Sequence, residues 1–365
     1  MKRKTGLGPI GRLKKRQLKD LFNQIRQFQT VFGYNLLSEI EFFVAEPFLL
    51  VTMEDLWQKY ESKFNINSEY LYFVNSLEIK DLDEDAKKFE NIKSIIGFGG
   101  GQAMDVAKFL NWKTNSKLYQ FPSSLSVDAV FGHRAGVRED SNVKYLGWAV
   151  PEAIYIDFDI LKSCPKHLNT GGLGDVLCFY TGIFDWEYAH RIGKCEEKWA
   201  YNQSLADISK SKADNVVNNI DDVCELTDNG IQFLVDALKW GGASFHGAGW
   251  NPRHIEGVEH FFFYALESYT KKKFLHGQAV CLGVVIGCMM HQKKEDELLG
   301  IIHQAGIDIR PEAMGIEWED VEKTLYSLKN YVKENKFHYG IANDFEVTKE
   351  FFQSVKNKVE SKFNK

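Results

Sequence analysis

Residues 92–108 read IKSIIGFGGGQAMDVAK. Ile95 and Ile96 belong to a short run of apolar β-formers that stops at three consecutive glycines, Gly99, Gly100 and Gly101. Met104, Val106 and Ala107 then follow at helical spacing. The stretch therefore predicts strand, tight turn, helix. Glycine lets a backbone come close to a diphosphate and offer bare N–H groups, and the opening helix adds the positive end of its dipole. Diphosphate binding is the functional reading, and a plain strand-to-helix turn has the same pattern.

Outward from the turn, the same texture repeats. Residues 47–53 (PFLLVTM), 70–76 (YLYFVNS) and 92–98 read as buried strands, each of the first two followed by a polar helical segment. A fourth strand at 117–121 runs into the loop PSSLSVDAV (122–130), where Ser123, Ser124 and Ser126 precede Asp128. Residues 132–150 suggest a hairpin, and 153–157 the last strand. Strands alternating with helices imply a mostly parallel, twisted sheet whose ligands gather at the carboxyl ends of the strands. The glycine turn and the serine loop both fall at that edge.

Beyond residue 160 the strand signals stop. Long periodic segments at 197–217, 231–245, 258–269, 277–291 and 317–335 predict helices. The expected organisation is an α/β domain over 1–160 and an all-helical domain over 161–365. A length of 365 residues fits two domains, since single cores stop growing at roughly 250–300 residues. No Pro/Gly/Ser-rich linker separates them.

The composition sets limits on partners. A formal charge of −5 argues against a general affinity for nucleic acid. No run of roughly 18 uncharged apolar residues provides a membrane span. Six cysteines without a C-x-x-C pair, and no signal peptide, point to a reducing cytoplasm. The first thirty residues are unusual: Lys2, Arg3, Lys4, Arg12, Lys14, Lys15, Arg16, Lys19 and Arg26 face the single acid Asp20, with Leu13, Leu18, Leu21, Phe22, Ile25 and Phe28 at helical spacing. A basic amphipathic helix results, able to lie on a membrane surface or to dock its apolar face on its own protein.

The helical half offers candidate metal ligands. Asp175 opens a helix in GGLGDVL, His260 sits on the apolar helix GVEHFFFYALE, and His276 precedes another in LHGQAVCLG. One carboxylate and two imidazoles with an open position form the ligand set of a catalytic zinc ion. With ten histidines in the chain, spacing alone would equally admit His246, His254 or His291.

The ordered set GFGGGQAMDVAK, FPSSLSVDA, IYIDFDILKSCPKHLNTGGLGDVL, GVEHFFFYALE and LHGQAVCLG, covering most of the chain from about Phe48 to about Tyr339, resembles the iron-containing alcohol dehydrogenase and dehydroquinate synthase-like superfamily, nearest its glycerol-1-phosphate dehydrogenase branch. The resemblance implies a dinucleotide-binding domain followed by a helical one, an NAD(H)- or NADP(H)-linked reductase, and at least a dimer. It implies Asp175, His260 and His276 as ligands of zinc, or of nickel or iron. Gly99, Gly100, Gly101, Gln102 and Ala103 match the diphosphate turn, and Ser123, Ser126 and Gly132 the cofactor loop. Asp128 matches the residue that contacts substrate hydroxyls and relays a proton.

Departures concentrate on the substrate side. The branch usually has Ser-His-Asp where this chain has Ser126-Val127-Asp128, and a serine at Gly132. It also carries a second histidine where Tyr264 stands, four residues after His260 and on the same helix face. The loop GWNPRHIEGVEH is more basic than expected, making Arg253 and His254, with Lys144, candidate anchors for a phosphate. The expected substrate is a small phosphorylated ketone: dihydroxyacetone phosphate, or a longer ketose phosphate such as fructose 6-phosphate. A cyclase that recycles its NAD, or a glycerol-dehydrogenase-like polyol oxidoreductase, are the rival activities.

Overall fold

The computed structural model describes residues 29–42, 44, 46–64, 70–140 and 142–364. The basic segment expected to form an N-terminal helix lies outside them. The described chain divides into two compact units: residues 29–172 with 221–244, and residues 173–220 with 245–364. The division thus falls at 172/173 rather than near 160, and 221–244 join the first unit.

The first unit holds eight strands: β1 (Gln29–Gly33), β2 (Phe48–Thr52), β3 (Leu71–Phe73), β4 (Ser94–Gly99), β5 (Lys117–Pro122), β6 (Ala135–Glu139), β7 (Asn142–Leu146) and β8 (Ala153–Asp157). Six form a sheet in the order β1-β8-β5-β4-β2-β3, every pairing parallel. β6 and β7 form the separate antiparallel hairpin. Strands β2, β4 and β8 are buried along their whole length, as parallel strands covered on both faces must be. Their near-continuous apolar runs made them legible in the sequence. β1 was not: QTVFG sits at the sheet edge, only part-buried, and carries no apolar run.

Helices of this unit are α1 (Glu54–Tyr60), α2 (Ile79–Ala86), α3 (Gly101–Thr114), α4 (Phe158–Ser163) and α5 (Lys166–Thr170). The second unit opens with α6 (Gly174–Arg191) and α7 (Gln203–Asn218); α8 (Ile220–Glu225) and all but the end of α9 (Asp228–Gly247) return to the first. Then come α10 (Val258–Thr270), α11 (His276–His291), α12 (Glu295–Gln304), α13 (Trp318–Glu334) and α14 (Lys349–Phe363).

Alternate residues build one face of the sheet. Phe48 and Leu50, Ile96 and Phe98, Tyr119 and Phe121, and Ala153 and Tyr155 form a single apolar cluster. Phe121 and Tyr155 stack at 4.6 Å, and Tyr60 of α1 meets Phe98 edge-on at 5.4 Å. On the opposite face Gly97 lets α3 come so close that a Cβ there would stand 2.9 Å from that of Ala107. The chain runs outward from β2 to β3, returns to β4 on the other side of β2, and continues to β5 and β8. The sheet therefore reverses direction beside β4, the strand that ends in the glycine turn, and such a switch point is where open α/β sheets leave a crevice.

Candidate metal centre and cofactor turn

In the α/β unit, β4 delivers the three glycines to the start of α3. Gly99 has φ +154°, and a Cβ on it would come within 2.8 Å of the Ala103 Cβ. A Cβ on Gly101 would come within 2.9 Å of Val127 Cγ2. Internal packing accounts for both. Gly100 differs: extended at φ −85°, it would place a Cβ no closer than 3.5 Å to Ser124 Oγ. No side chain caps α3, so its first-turn N–H groups, those of Gln102 and Ala103 among them, are left for solvent or an anion.

The serine loop is tied to this turn. Ser123 N–H donates to the Gly99 carbonyl at 2.8 Å, and Leu125 N–H to Asn169 Oδ1 at 3.0 Å. Ser124 and Ser126 bring their hydroxyls to 3.4 Å. Asp128 opens a short 3₁₀ turn, Asp128–Phe131, that leads to Gly132. Lys108, only 1% exposed, holds this turn from beneath: its ammonium donates to the carbonyls of Ala129 (2.8 Å) and Arg134 (2.6 Å) and pairs with Asp105 at 2.7 Å. Gly242 of α9 packs against Gly132 and Asp128, where a Cβ would reach 2.7 Å from Gly132 N. Sequence reasoning overlooked Lys108 and Asn169; the available signal was a charged pair, Asp105 and Lys108, one turn apart in α3.

In the helical unit, three helices converge. Asp175 lies at the start of α6, His276 begins α11, and His260 stands in the first turn of α10. His276 Nε2 is 2.9 Å from Asp175 Oδ1, and His260 Nε2 is 3.7 Å from the same oxygen. One donor atom from each of the three lies within 4.8 Å of the others. Glycines permit the approach: a Cβ on Gly174 would sit 2.7 Å from Gly277 Cα, and one on Gly283 only 2.4 Å from the Glu259 carbonyl. Burial pushes the Asp175 carboxyl up, but the His276 and His260 imidazoles outweigh it and hold that carboxyl below the usual range. Burial lowers His260, yet Asp175, Cys178 and Glu259 raise it well above the usual imidazole value. The cluster favours positive charge. His246, His254 and His291, equal candidates by spacing, are absent from it.

His291 has another task. Its Nε2 lies 2.8 Å from Asp185 Oδ1, and the buried Asp185 also accepts the N–H groups of Val258 and Ile341, both at 2.8 Å. This carboxylate links α6, the start of α10 and the end of α11, which between them carry the three clustered side chains. Cys178, Glu259 and His260 form a second close group. The Cys178 thiol donates to the Ile255 carbonyl at 2.9 Å and burial pushes it well up, so it is a poor source of thiolate.

Of the residues expected to meet substrate, Tyr264 stands beside the cluster, its ring 5.9 Å from that of His260 and packed on Phe263 and Phe337. Arg253 and His254 require a correction. Arg253 is 0% exposed; its guanidinium donates to Glu196 Oε2 at 2.7 Å and to the Tyr339 carbonyl at 2.6 Å. His254 is equally buried, beside Trp186, and burial lowers its imidazole to about 3, leaving it neutral. A guanidinium engaged at both ends and an uncharged buried ring are core elements, not phosphate anchors. Lys144 is a solvated hairpin charge, 49% exposed and 3.6 Å from Glu139.

The profile of the iron-containing alcohol dehydrogenase family matches residues 47–165. Among curated proteins, the chain is 30% identical over 234 residues to a glycerol-1-phosphate dehydrogenase of Aeropyrum pernix, covering 64% of this chain and 65% of that one, just under two thirds of its length. It is 31% identical over 268 residues to the enzyme of the same name from Methanoregula boonei, covering 73% and 72%. Among solved structures, a probable glycerol dehydrogenase from Sinorhizobium meliloti superposes with a TM-score of 0.69 at 14% identity, over 92% of this chain and 96% of that one, which shows a common fold. With 31% identity to the Methanoregula boonei enzyme over more than two thirds of both chains, and the matched family model, the chain belongs to the iron-containing alcohol dehydrogenase family.

Proposed function

We propose that the protein reduces dihydroxyacetone phosphate to glycerol 1-phosphate with NADH or NADPH, at a divalent metal held by Asp175, His260 and His276. The observation that carries this reading is the convergence of one carboxylate and two imidazoles, from three helices, within 4.8 Å. The donor set fits such an ion: hard oxygen and imidazole nitrogen suit zinc, nickel or ferrous iron alike. The buried Glu259 side chain beside it has one oxygen with no hydrogen-bond partner among the described residues, a polar group that a nearby dication would suit. Bound there, the metal supplies a Lewis acid for a carbonyl oxygen.

The chain's own residues do the rest. The glycine turn and the first N–H groups of α3 take the cofactor diphosphate, while Ser123, Ser126 and the bend at Gly132 border its remainder. Asp128, fixed by Lys108 through the Ala129 carbonyl, accepts a substrate hydroxyl and can pass on its proton. Tyr264 contributes a phenol where the related enzymes usually carry a histidine. The substrate proposed is the one in the relatives' names. The six cysteines form no disulfide, which supports action in a reducing cytoplasm. Among the described residues no helix is long and apolar enough to cross a membrane.

The test is absorbance at 340 nm. Zinc-loaded protein is mixed with NADH or NADPH and dihydroxyacetone phosphate, fructose 6-phosphate or unphosphorylated dihydroxyacetone. Chelator-sensitive oxidation with dihydroxyacetone phosphate is the expected result. Oxidation only with the unphosphorylated ketone would replace it with a polyol oxidoreductase. Cofactor binding without net oxidation by any of them would refute the reductase reading and favour a cyclase that recycles its NAD.

A further inference from the structure

Glu259 precedes His260 in the first turn of α10 and is 0% exposed. Its Oε1 accepts the Gly257 N–H at 2.6 Å and lies 3.0 Å from His260 Nδ1, while Oε2 has no hydrogen-bond partner among the described residues. An ionised carboxylate can only accept hydrogen bonds. The 3.0 Å contact is therefore a bond only when Nδ1 carries the proton. A neutral ring protonated at Nδ1 has its lone pair on Nε2, the nitrogen that faces Asp175.

We infer that Glu259 is a positioning residue: it holds His260 as the Nδ1–H tautomer and aims Nε2 at the metal. This rests on the proposed centre of Asp175, His260 and His276. A carboxylate behind a ligating imidazole fixes both its tautomer and its ring angle and makes it a stronger donor. Two further features agree with that role. The Glu259 side chain cannot drift, because the same oxygen holds the N–H of Gly257 at the N-cap of α10, and α11 presses on its backbone at Gly283. Asp175 and Glu259 also each bring an oxygen toward a different nitrogen of the His260 ring, Oδ1 at 3.7 Å from Nε2 and Oε1 at 3.0 Å from Nδ1. Cys178 also stands on the Nδ1 side: its thiol proton goes to the Ile255 carbonyl, and its sulfur is left as a second acceptor near the His260 ring. That side belongs to a proton.

The test uses the full chain loaded with Co²⁺, or with Zn²⁺ and ¹⁵N-histidine. In the wild type, ¹⁵N shifts should show His260 ligating through Nε2, and Co²⁺ should shift an Nδ1–H proton signal that exchanges slowly with D₂O. Glu259→Gln keeps an accepting oxygen and should retain that signal, with Co²⁺ affinity reduced less than about tenfold. Glu259→Leu should lose the slow signal and bind Co²⁺ about 10–100-fold more weakly in chelator competition. Ligation through Nδ1 in the wild type overturns the inference without recourse to any variant. So does a folded Glu259→Leu protein with wild-type affinity and an unchanged slow signal. Wild-type protein that takes up no Co²⁺ overturns the metal centre itself, a failure visible before either variant is made.

Discussion

Arg253→Met separates two readings of one residue. As a phosphate anchor, Arg253 would govern substrate affinity; as a buried clamp, it governs stability. The structure supports the clamp. The guanidinium makes two short charge-assisted bonds, to Glu196 Oε2 and the Tyr339 carbonyl, and is fully buried. Removing one partner of a buried ion pair costs about 3–5 kcal/mol. Glu196 is partly exposed and keeps the Tyr339 N–H at 3.0 Å, so the lower end applies, about 3 kcal/mol. At about 2–4 °C per kcal/mol for units of this size, the melting temperature should fall by about 6–12 °C. Thermal melts and urea titration measure the loss, and steady-state kinetics on the folded variant should give a KM for the phosphorylated ketone within about twofold of wild type. Unchanged stability with a KM raised tenfold or more would refute the clamp and restore the anchor.

Other expectations follow from the same geometry. Gly100→Ala meets no close neighbour and should leave stability within about 0.5 kcal/mol, while weakening NAD(P)H binding tenfold or more in a fluorescence titration; Gly99→Ala, blocked by Ala103 and by its φ, should destabilise the fold outright. Unchanged cofactor affinity in Gly100→Ala would remove the turn from the cofactor site. His276→Ala should abolish turnover with a far-ultraviolet spectrum like the wild type, and wild-type-like activity in that variant stripped of metal would sink the metal centre. His254 and His338 are lowered to about 3 by burial, His338 also by the charge of Arg253. Their folded values lie below the unfolded one, so the unfolded state binds more protons and stability falls as pH drops from about 6.5 toward 3. Between pH 7 and 5 each should cost about 2 kcal/mol, and His338→Phe should halve that pH dependence in denaturant titrations; an unchanged slope would refute it.

What the sequence determined by itself was periodic or local. Runs such as FLLVT and SIIGFG are buried on both faces, so their hydrophobicity is continuous and marks them as parallel strands. The glycine turn is legible because strand, turn and helix chemistry are contiguous, and the helices of the second half are marked by their period. Asp175, His260 and His276 could be put forward from ordered motifs. Spacing did not separate them from His246, His254 and His291, and the resemblance did; the tertiary structure adds that the three side chains meet, across as many as 101 positions of sequence. The same holds for the errors. Arg253 looked like a free cation in a basic loop, and its partners, Glu196 and Tyr339, lie 57 and 86 residues away. Lys108 drew no attention in the sequence and is buried under the Asp128 turn. Residues 221–244 looked like part of the helical half and pack with the sheet instead. A side chain's chemistry and spacing are written along the chain, but whether a charge is solvated, clamped or aimed at a ligand depends on what folding brings opposite it, and that partner has no fixed place in the sequence.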